Sequence, residues 1–394
     1  MPFDLTTIWF AGVGIAWLGF NGAVVWFERY VEPFARVVER LPDSDATPGV
    51  TVVVPARNER DRIEGSVRHL LAQRGVDLDL VVVDDRSDDG TTEILARLCR
   101  EDPRLRVIRV DRLPPDWLGK PHACHLGALD SRQEWILFTD ADVWLRPDVI
   151  ANTIRAADQD QADLVCLLPA QKRIDVWGRG AMLTFSMMLL LAAGRANSNQ
   201  RLAPVGIGAY NLVRASAYRR AGGYEALRME VIDDLKLGLL LMHGGSRMRC
   251  WTAADEAEMD WAASPGELVR ALDKNFIALA ELSFSVAAIG IAIMLAGWIS
   301  ALIGPLVGGW SGYLAFAGLF SMSIPAALFA RHSSWGLLPA VLAPFLFPLL
   351  PFALFRSAWS TWRQGGIRWR ETVYPLALLR KYRVSLFLKP RRGP

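Results

Sequence analysis

Between residues 276 and 355 only two side chains, Glu281 and Arg331, carry a formal charge. A stretch this long and this poor in charge cannot form the solvated faces of a soluble fold, so it predicts membrane-spanning helices. Phe284–Ile303 and Tyr313–Ala330 read as spans, joined by the uncharged turn Gly304-Pro305-Leu306-Val307-Gly308-Gly309. Trp335–Phe355 is interrupted by Pro339, Pro344, Pro348 and Pro351. Interior prolines remove helix hydrogen bonds and kink the axis, so this segment is expected to be broken or re-entrant. Leu5 to Phe27 is also free of charge and long enough to span. No Lys or Arg precedes it and no small-residue cleavage site follows, which predicts an anchor rather than a signal peptide.

Arg29, Arg36 and Arg40 follow the first run directly. The positive-inside rule then places residues 28 onward in the cytoplasm, at the inner membrane of the cell. The last segment holds Arg356, Arg363, Arg368, Arg370, Arg380, Lys381, Arg383, Lys389, Arg391 and Arg392, and is expected on the same side. Ala181–Gly194 is apolar but too short to span as read, and is expected to be buried or to lie in the membrane surface. The expected organisation is an anchor at 1–30, a cytosolic domain at 31–275, a membrane region at 276–355 and a basic interfacial tail at 356–394.

The net charge of +3 describes no single surface, because the acidic groups gather between residues 28 and 275. The basic residues are dispersed or confined to the tail, so no nucleic-acid partner is expected. Cys99, Cys124, Cys166 and Cys250 form no CxxC pair and suit a reducing compartment. His122-Ala123-Cys124-His125 is read as a loop or helix start without a metal.

Within the polar region, β-branched runs alternate with helical periodicity. Val50 to Val54, ended by Pro55, reads as a buried parallel strand. Ile63 to Ala72 has Ile63, Val67, Leu70 and Leu71 on one helical face. Leu78–Val83 and Leu105–Val110 are further strands, and Thr92–Cys99 is a helix capped by Asp89 or Thr91. A loop carrying Gly119-Lys120 leads to a helix expected at Ala123–Asp130, and then to the strand Trp135–Phe138. The pattern predicts an α/β fold with a mostly parallel sheet and flanking helices. Ligands gather beyond the carboxyl ends of such strands. Asp84-Asp85 and Asp140-Ala141-Asp142 both fall there. Carboxylates two residues apart on an extended backbone point the same way, and Mg²⁺ or Mn²⁺ prefers such oxygens.

Taken in order, Val53-Val54-Pro55-Ala56-Arg57-Asn58-Glu59, Val82-Val83-Asp84-Asp85-Arg86-Ser87-Asp88-Asp89-Gly90-Thr91, Gly119-Lys120 and Thr139-Asp140-Ala141-Asp142 resemble glycosyltransferase family 2. The resemblance covers about residues 48–275. It implies the GT-A nucleotide-diphospho-sugar transferase fold and inversion at the anomeric carbon. Gly206–Arg214 and Ala221-Gly222-Gly223-Tyr224 are similar to the family's acceptor-side segment. Asp233-Asp234 resembles its acidic pair, with Asp234 at the position of the catalytic base and Asp233 beside it. The resemblance places Pro55, Ala56, Glu59, Asp84, Asp85, Lys120 and Asp140 around the nucleotide-sugar donor. A metal, Mg²⁺ or Mn²⁺, falls on Asp142 with Asp140 lining the same pocket.

The Gln-x-x-Arg-Trp of processive members is missing. Leu268–Phe276, with Arg270 and Lys274, and Gln364-Gly365-Gly366-Ile367-Arg368-Trp369 are its only partial counterparts. Spans beside a soluble transferase suggest a lipid acceptor. The competing readings are a polysaccharide synthase, an inactive membrane scaffold that senses nucleotide sugars, and a nucleotidyltransferase.

Overall fold

Val50, Thr51, Val52, Val53 and Val54 are all fully buried, because a strand lies on each side of them and other elements cover both faces. They belong to β1 (Gly49–Ala56) in a computed structural model that describes residues 4–44, 46–199 and 203–386. Lys389, Arg391 and Arg392 of the basic tail lie outside the described residues. The chain divides into two compact units. One comprises Val31–Lys172, Arg195–Asp260 and Ala377–Pro394, the other Met1–Tyr30, Arg173–Gly194 and Trp261–Leu376.

The first of these units is built on an eight-stranded sheet. Besides β1 it contains β2 (Asp77–Asp85), β3 (Leu105–Val110), β4 (Trp135–Phe138), β5 (Val143–Leu145), β6 (Leu164–Gln171), β7 (Asn211–Arg214) and β8 (Met248–Met259). Their order is β3-β2-β1-β4-β7-β6-β8-β5. The pairs β1–β2, β1–β4, β2–β3 and β6–β8 are parallel. The strand β7 runs antiparallel to both β4 and β6, and β5 runs antiparallel to β8. The sheet is therefore mostly parallel, with one reversed strand at its centre. That reversal brings Asn211, just after Gly208, level with Phe138, just before Asp140.

The helix Ile63–Leu71 buries Ile63, Val67 and Leu70 as its periodicity predicts. The helix after β3 departs from expectation. It runs Gly119–Leu129 rather than starting at Ala123, so Gly119 and Lys120 occupy its first turn instead of a loop. Pro121 suggests a later start, but a first-turn residue needs no N–H donor within the helix.

The other unit is mostly helical, with one antiparallel strand pair, Gly366–Trp369 and Thr372–Pro375. Among the described residues, Leu5–Glu28, Val176–Asn197, Phe284–Val307 and Gly309–His332 are long and apolar enough to cross a membrane. The run Ala181–Gly194 thus proves to be the middle of a 22-residue helix, and its length no longer argues against spanning. The proline-interrupted segment forms Leu338–Leu346 and Leu349–Gln364, bent by 48° at the break. Small residues let these helices approach closely. A Cβ on Gly312 would sit 1.9 Å from the Gly304 carbonyl oxygen, and one on Gly14 would sit 2.8 Å from Leu314. Asn21 Nδ2 donates to Gly318 O at 3.1 Å and Ser321 Oγ at 2.9 Å, a polar tie between apolar surfaces. The two partial counterparts of Gln-x-x-Arg-Trp also meet here, with Lys274 Nζ 3.8 Å from the centre of the Trp369 ring.

Candidate active site

Valine-rich β1 ends in Pro55 and Ala56, and the next turn is tied to the turn after β2. Asn58 N donates to Ser87 Oγ at 3.0 Å, Glu59 N to Thr91 Oγ1 at 2.9 Å and Arg60 N to Asp89 Oδ2 at 3.0 Å. These bonds hold two neighbouring loops as one wall at the carboxyl edge of the sheet. Ala56 is buried, while Pro55 and Glu59 are partly open.

The two acidic residues ending β2 do different work. Asp84 is fully buried and its carboxylate is spent internally. Oδ1 accepts from Ser87 N at 3.2 Å, and Oδ2 accepts from Thr92 Oγ1 at 2.5 Å and Arg109 Nη1 at 2.9 Å. These bonds make Asp84 the anchor of the turn. Asp85 forms a two-pronged pair with Arg86, at 2.8 and 3.0 Å. Its Oδ2 also lies where a Cβ on Gly119 would be, 2.3 Å away. Asp85 thus abuts the helix start that carries Lys120.

Lys120 Nζ donates to Asp140 Oδ1 at 2.5 Å. Burial opposes its charge, but Asp140, Asp233 and Asp234 together hold it protonated, well above the usual lysine range. The segment Gly206-Ile207-Gly208 closes the same space. A Cβ on Gly206 would meet the Asp234 carbonyl oxygen at 1.9 Å, so only glycine lets this backbone lie against the next helix. A Cβ on Gly208 would lie 3.0 Å from Asp140 Oδ2, 3.3 Å from Asp234 Oδ2 and 3.3 Å from Lys120 Nζ. Lys120, Asp140 and Asp234, widely separated in the chain, therefore converge on one glycine.

Asp233 and Asp234 open the helix Asp233–His243, where the helix dipole favours negative charge. Asp233 is buried and its Oδ2 accepts from Tyr224 Oη at 3.1 Å. Asp234 is half-buried; its Oδ2 accepts from Gly208 N at 2.8 Å and its Oδ1 from Leu235 N at 2.8 Å. Of the pair, Asp234 is the more exposed.

Asp142 lies just beyond Asp140, with Arg62 Nη1 at 3.6 Å from Oδ2. Burial, reinforced by Asp140, pushes its carboxyl up to about 6. Among the described residues no group of three or more His, Cys, Asp or Glu side chains gathers as a metal cluster. Two carboxylates are nonetheless the usual protein share of a Mg²⁺ site, the rest coming from water and substrate phosphates. Asp140 and Asp142 supply carboxylate oxygens of the kind Mg²⁺ or Mn²⁺ takes, so the donor chemistry of these residues fits one.

Some relationships had no local signal. Arg62 beside Asp142 lies on another loop, 80 positions earlier in the chain. Tyr224 stood out as part of an acceptor-side motif, but not as the partner of Asp233. His122 and His125 pack against the Trp117 ring, with ring centres 5.3 and 5.1 Å apart.

A mostly parallel sheet with acidic side chains, a lysine and a glycine turn gathered at its carboxyl edge is the arrangement of a GT-A-like fold. Residues 51–222 match the family described as Glycosyl transferase family 2. A 4,4'-diaponeurosporenoate glycosyltransferase of Staphylococcus aureus strain USA300 is 29% identical over 201 residues, 48% of this chain and 50% of that protein. The corresponding enzyme of the bovine strain RF122 / ET3-1 is 30% identical over the same shares. The chain spans about half the length of these relatives. The mannosyltransferase PcManGT from Pyrobaculum calidifontis, solved in complex with GDP-Man and Mn²⁺, aligns with a TM-score of 0.52 at 18% identity. The alignment covers 89% of this chain and 98% of that one, a likeness of fold.

Proposed function

We propose that this protein moves a sugar from a nucleotide-diphosphate donor to a lipid hydroxyl, with inversion at the anomeric carbon. The observation that carries the reading is the meeting of Lys120, Asp140 and Asp234 around Gly208. The acceptor hydroxyl is a weak nucleophile until a base takes its proton. Asp234 is that base. The Gly208 amide fixes one of its oxygens and so orients the carboxylate toward the cleft. As the bond to the sugar breaks, negative charge grows on the departing diphosphate. Protonated Lys120 supplies fixed positive charge for it in a partly buried setting. Asp85, with Pro55, Ala56 and Glu59, borders the nucleoside part. Asp142 and Asp140 would hold Mg²⁺ or Mn²⁺, whose chemistry is to neutralise diphosphate oxygens.

The lipid acceptor is supported by the apolar helices in the same chain and by the carotenoid-type substrate in the names of the Staphylococcus relatives. We place the catalytic domain on the cytoplasmic side of the inner membrane, from the arginines after the first span. The test is direct. Detergent-solubilised protein is incubated with UDP-glucose or GDP-mannose, Mn²⁺ and total bacterial lipid, and lipids are analysed by mass spectrometry. A gain of one hexose on a lipid is expected. Transfer only to water, or growth of a long sugar polymer, refutes the lipid acceptor.

A further inference from the structure

The chain after the helical unit returns to the sheet-bearing unit, and there the backbone of one residue is held on both sides. Val384 N–H donates to Glu230 Oε1, and Val384 C=O accepts from Lys236 Nζ. Glu230 and Lys236 bracket the Asp233-Asp234 pair in sequence, and both are buried, at 5% and 1% exposure. A buried charge is costly unless it is bonded, and bonds to charged groups are stronger than neutral ones. Two such charges on the turn into the Asp233–His243 helix therefore grip a C-terminal backbone segment.

The same segment holds a second element. Tyr382 Oη donates to Asp116 Oδ2 at 2.6 Å. Asp116 has a φ of 60° in the loop between β3 and the Gly119–Leu129 helix, a left-handed turn that aspartate adopts more readily than most residues. The Arg228 guanidinium lies 5.6 Å from the ring centres of both Trp117 and Tyr382, and Leu118 N donates to Arg228 O at 2.8 Å. The segment is thus fastened to the entrance of the Lys120 helix and to the entrance of the Asp234 helix. These two helix starts meet at Gly208.

We propose that residues 377–386 act as a strap that sets the distance between Lys120 and Asp234, with Tyr382 and Val384 as positioning residues for transfer. The proposal rests on the reading of Asp234 as the base. Without the strap both helices still form, but their first turns lose a common brace, and the carboxylate samples orientations away from the acceptor hydroxyl. A misplacement of about 1 Å in such an arrangement costs on the order of 100-fold in rate.

The experiment compares full-length Val384→Pro, Val384→Ala and Tyr382→Phe in detergent with Mn²⁺, total bacterial lipid and whichever of UDP-glucose and GDP-mannose is turned over. Proline lacks the N–H that Glu230 accepts, whereas alanine keeps both backbone groups. Val384→Pro is expected to lower kcat at least tenfold, with donor KM within twofold and the protein still folded at the assay temperature. Val384→Ala should restore the rate. Hydrogen exchange should quicken at 112–118 and 231–237 in Val384→Pro while β1 and β2 stay protected. If Val384→Pro does not fold, Tyr382→Phe decides, with a threefold or larger fall in kcat and faster exchange at 112–118. A smaller fall in kcat, or a fall accounted for by lost donor affinity or by protein unfolded at the assay temperature, overturns the strap. Asp234→Asn separates the two ideas. Full activity in that variant ends the base assignment, whereas the strap is still judged by exchange at the two helix entrances.

Discussion

The backbone amide of Gly208 donates to Asp234 Oδ2 at 2.8 Å, and the same glycine leaves room for Asp140 and Lys120. Both carboxylate oxygens are thereby held by the chain itself, the other accepting from Leu235 N at 2.8 Å. Asp234→Asn preserves size and the oxygen that Gly208 binds, but it loses the acceptor for Leu235 N and cannot take a proton. Transfer should fall by about 10²–10⁴-fold, the usual worth of a general base. Titration with UDP or GDP in Mn²⁺ should give near-parental affinity. Near-normal turnover would remove Asp234 from the mechanism.

The two glycines of Gly206-Ile207-Gly208 should behave differently. A methyl group at 206 collides with backbone, 1.9 Å from Asp234 O and 2.7 Å from Leu235 N. Gly206→Ala should therefore destabilise the fold, by about 1–3 kcal/mol in a denaturant titration. A methyl group at 208 meets only the ends of side chains, at 3.0–3.3 Å. Gly208→Ala should fold with an unchanged midpoint and transfer at least tenfold more slowly. Equal stability losses at the two positions would contradict this distinction.

Asp142 gives a pH signature. Its carboxyl is raised to about 6, above the usual 3.8, by burial and by Asp140. Between those values the folded state holds a proton that the unfolded chain has released. Stability is therefore full below about pH 4 and is lost as pH rises towards 6, then stays level. Without divalent cation, Asp142→Asn should gain on the order of 1–3 kcal/mol over the parent above pH 6. The gain should vanish near pH 4. Thermal melts across this range check it, and a gain independent of pH would show that Asp142 is not the titrating group.

Cation removal should read out on the same side chains. With excess Mn²⁺ at pH 7.5 the parent's melting temperature should rise, and chelation should reverse the rise. Asp142→Ala should show a much smaller shift, and should bind UDP or GDP equally with and without metal. An equal Mn²⁺ shift in parent and variant would move the metal elsewhere.

Much of this protein is written locally in its sequence. The valine run of β1, the strands ending in Asp84-Asp85 and before Asp140, and the charge-poor helices follow from periodicity and hydropathy, which act over a few residues. Those signals say where a strand ends and which residue types wait there. They carry no information on where each oxygen points. Asp84 and Asp85 are neighbours of identical chemistry, yet Thr92 and Arg109 consume the first and leave the second beside Gly119. Local sequence predicts a loop at Lys120, whereas the helix begins at Gly119 with Pro121 in its first turn. The reversal of β7 between β4 and β6, the seating of Gly206 against the Asp234 backbone and the grip of Glu230 and Lys236 on Val384 join residues far apart in the chain. Such contacts are chosen by close packing and by the need of buried charges for partners, which exist only once the whole sheet and its helices have assembled.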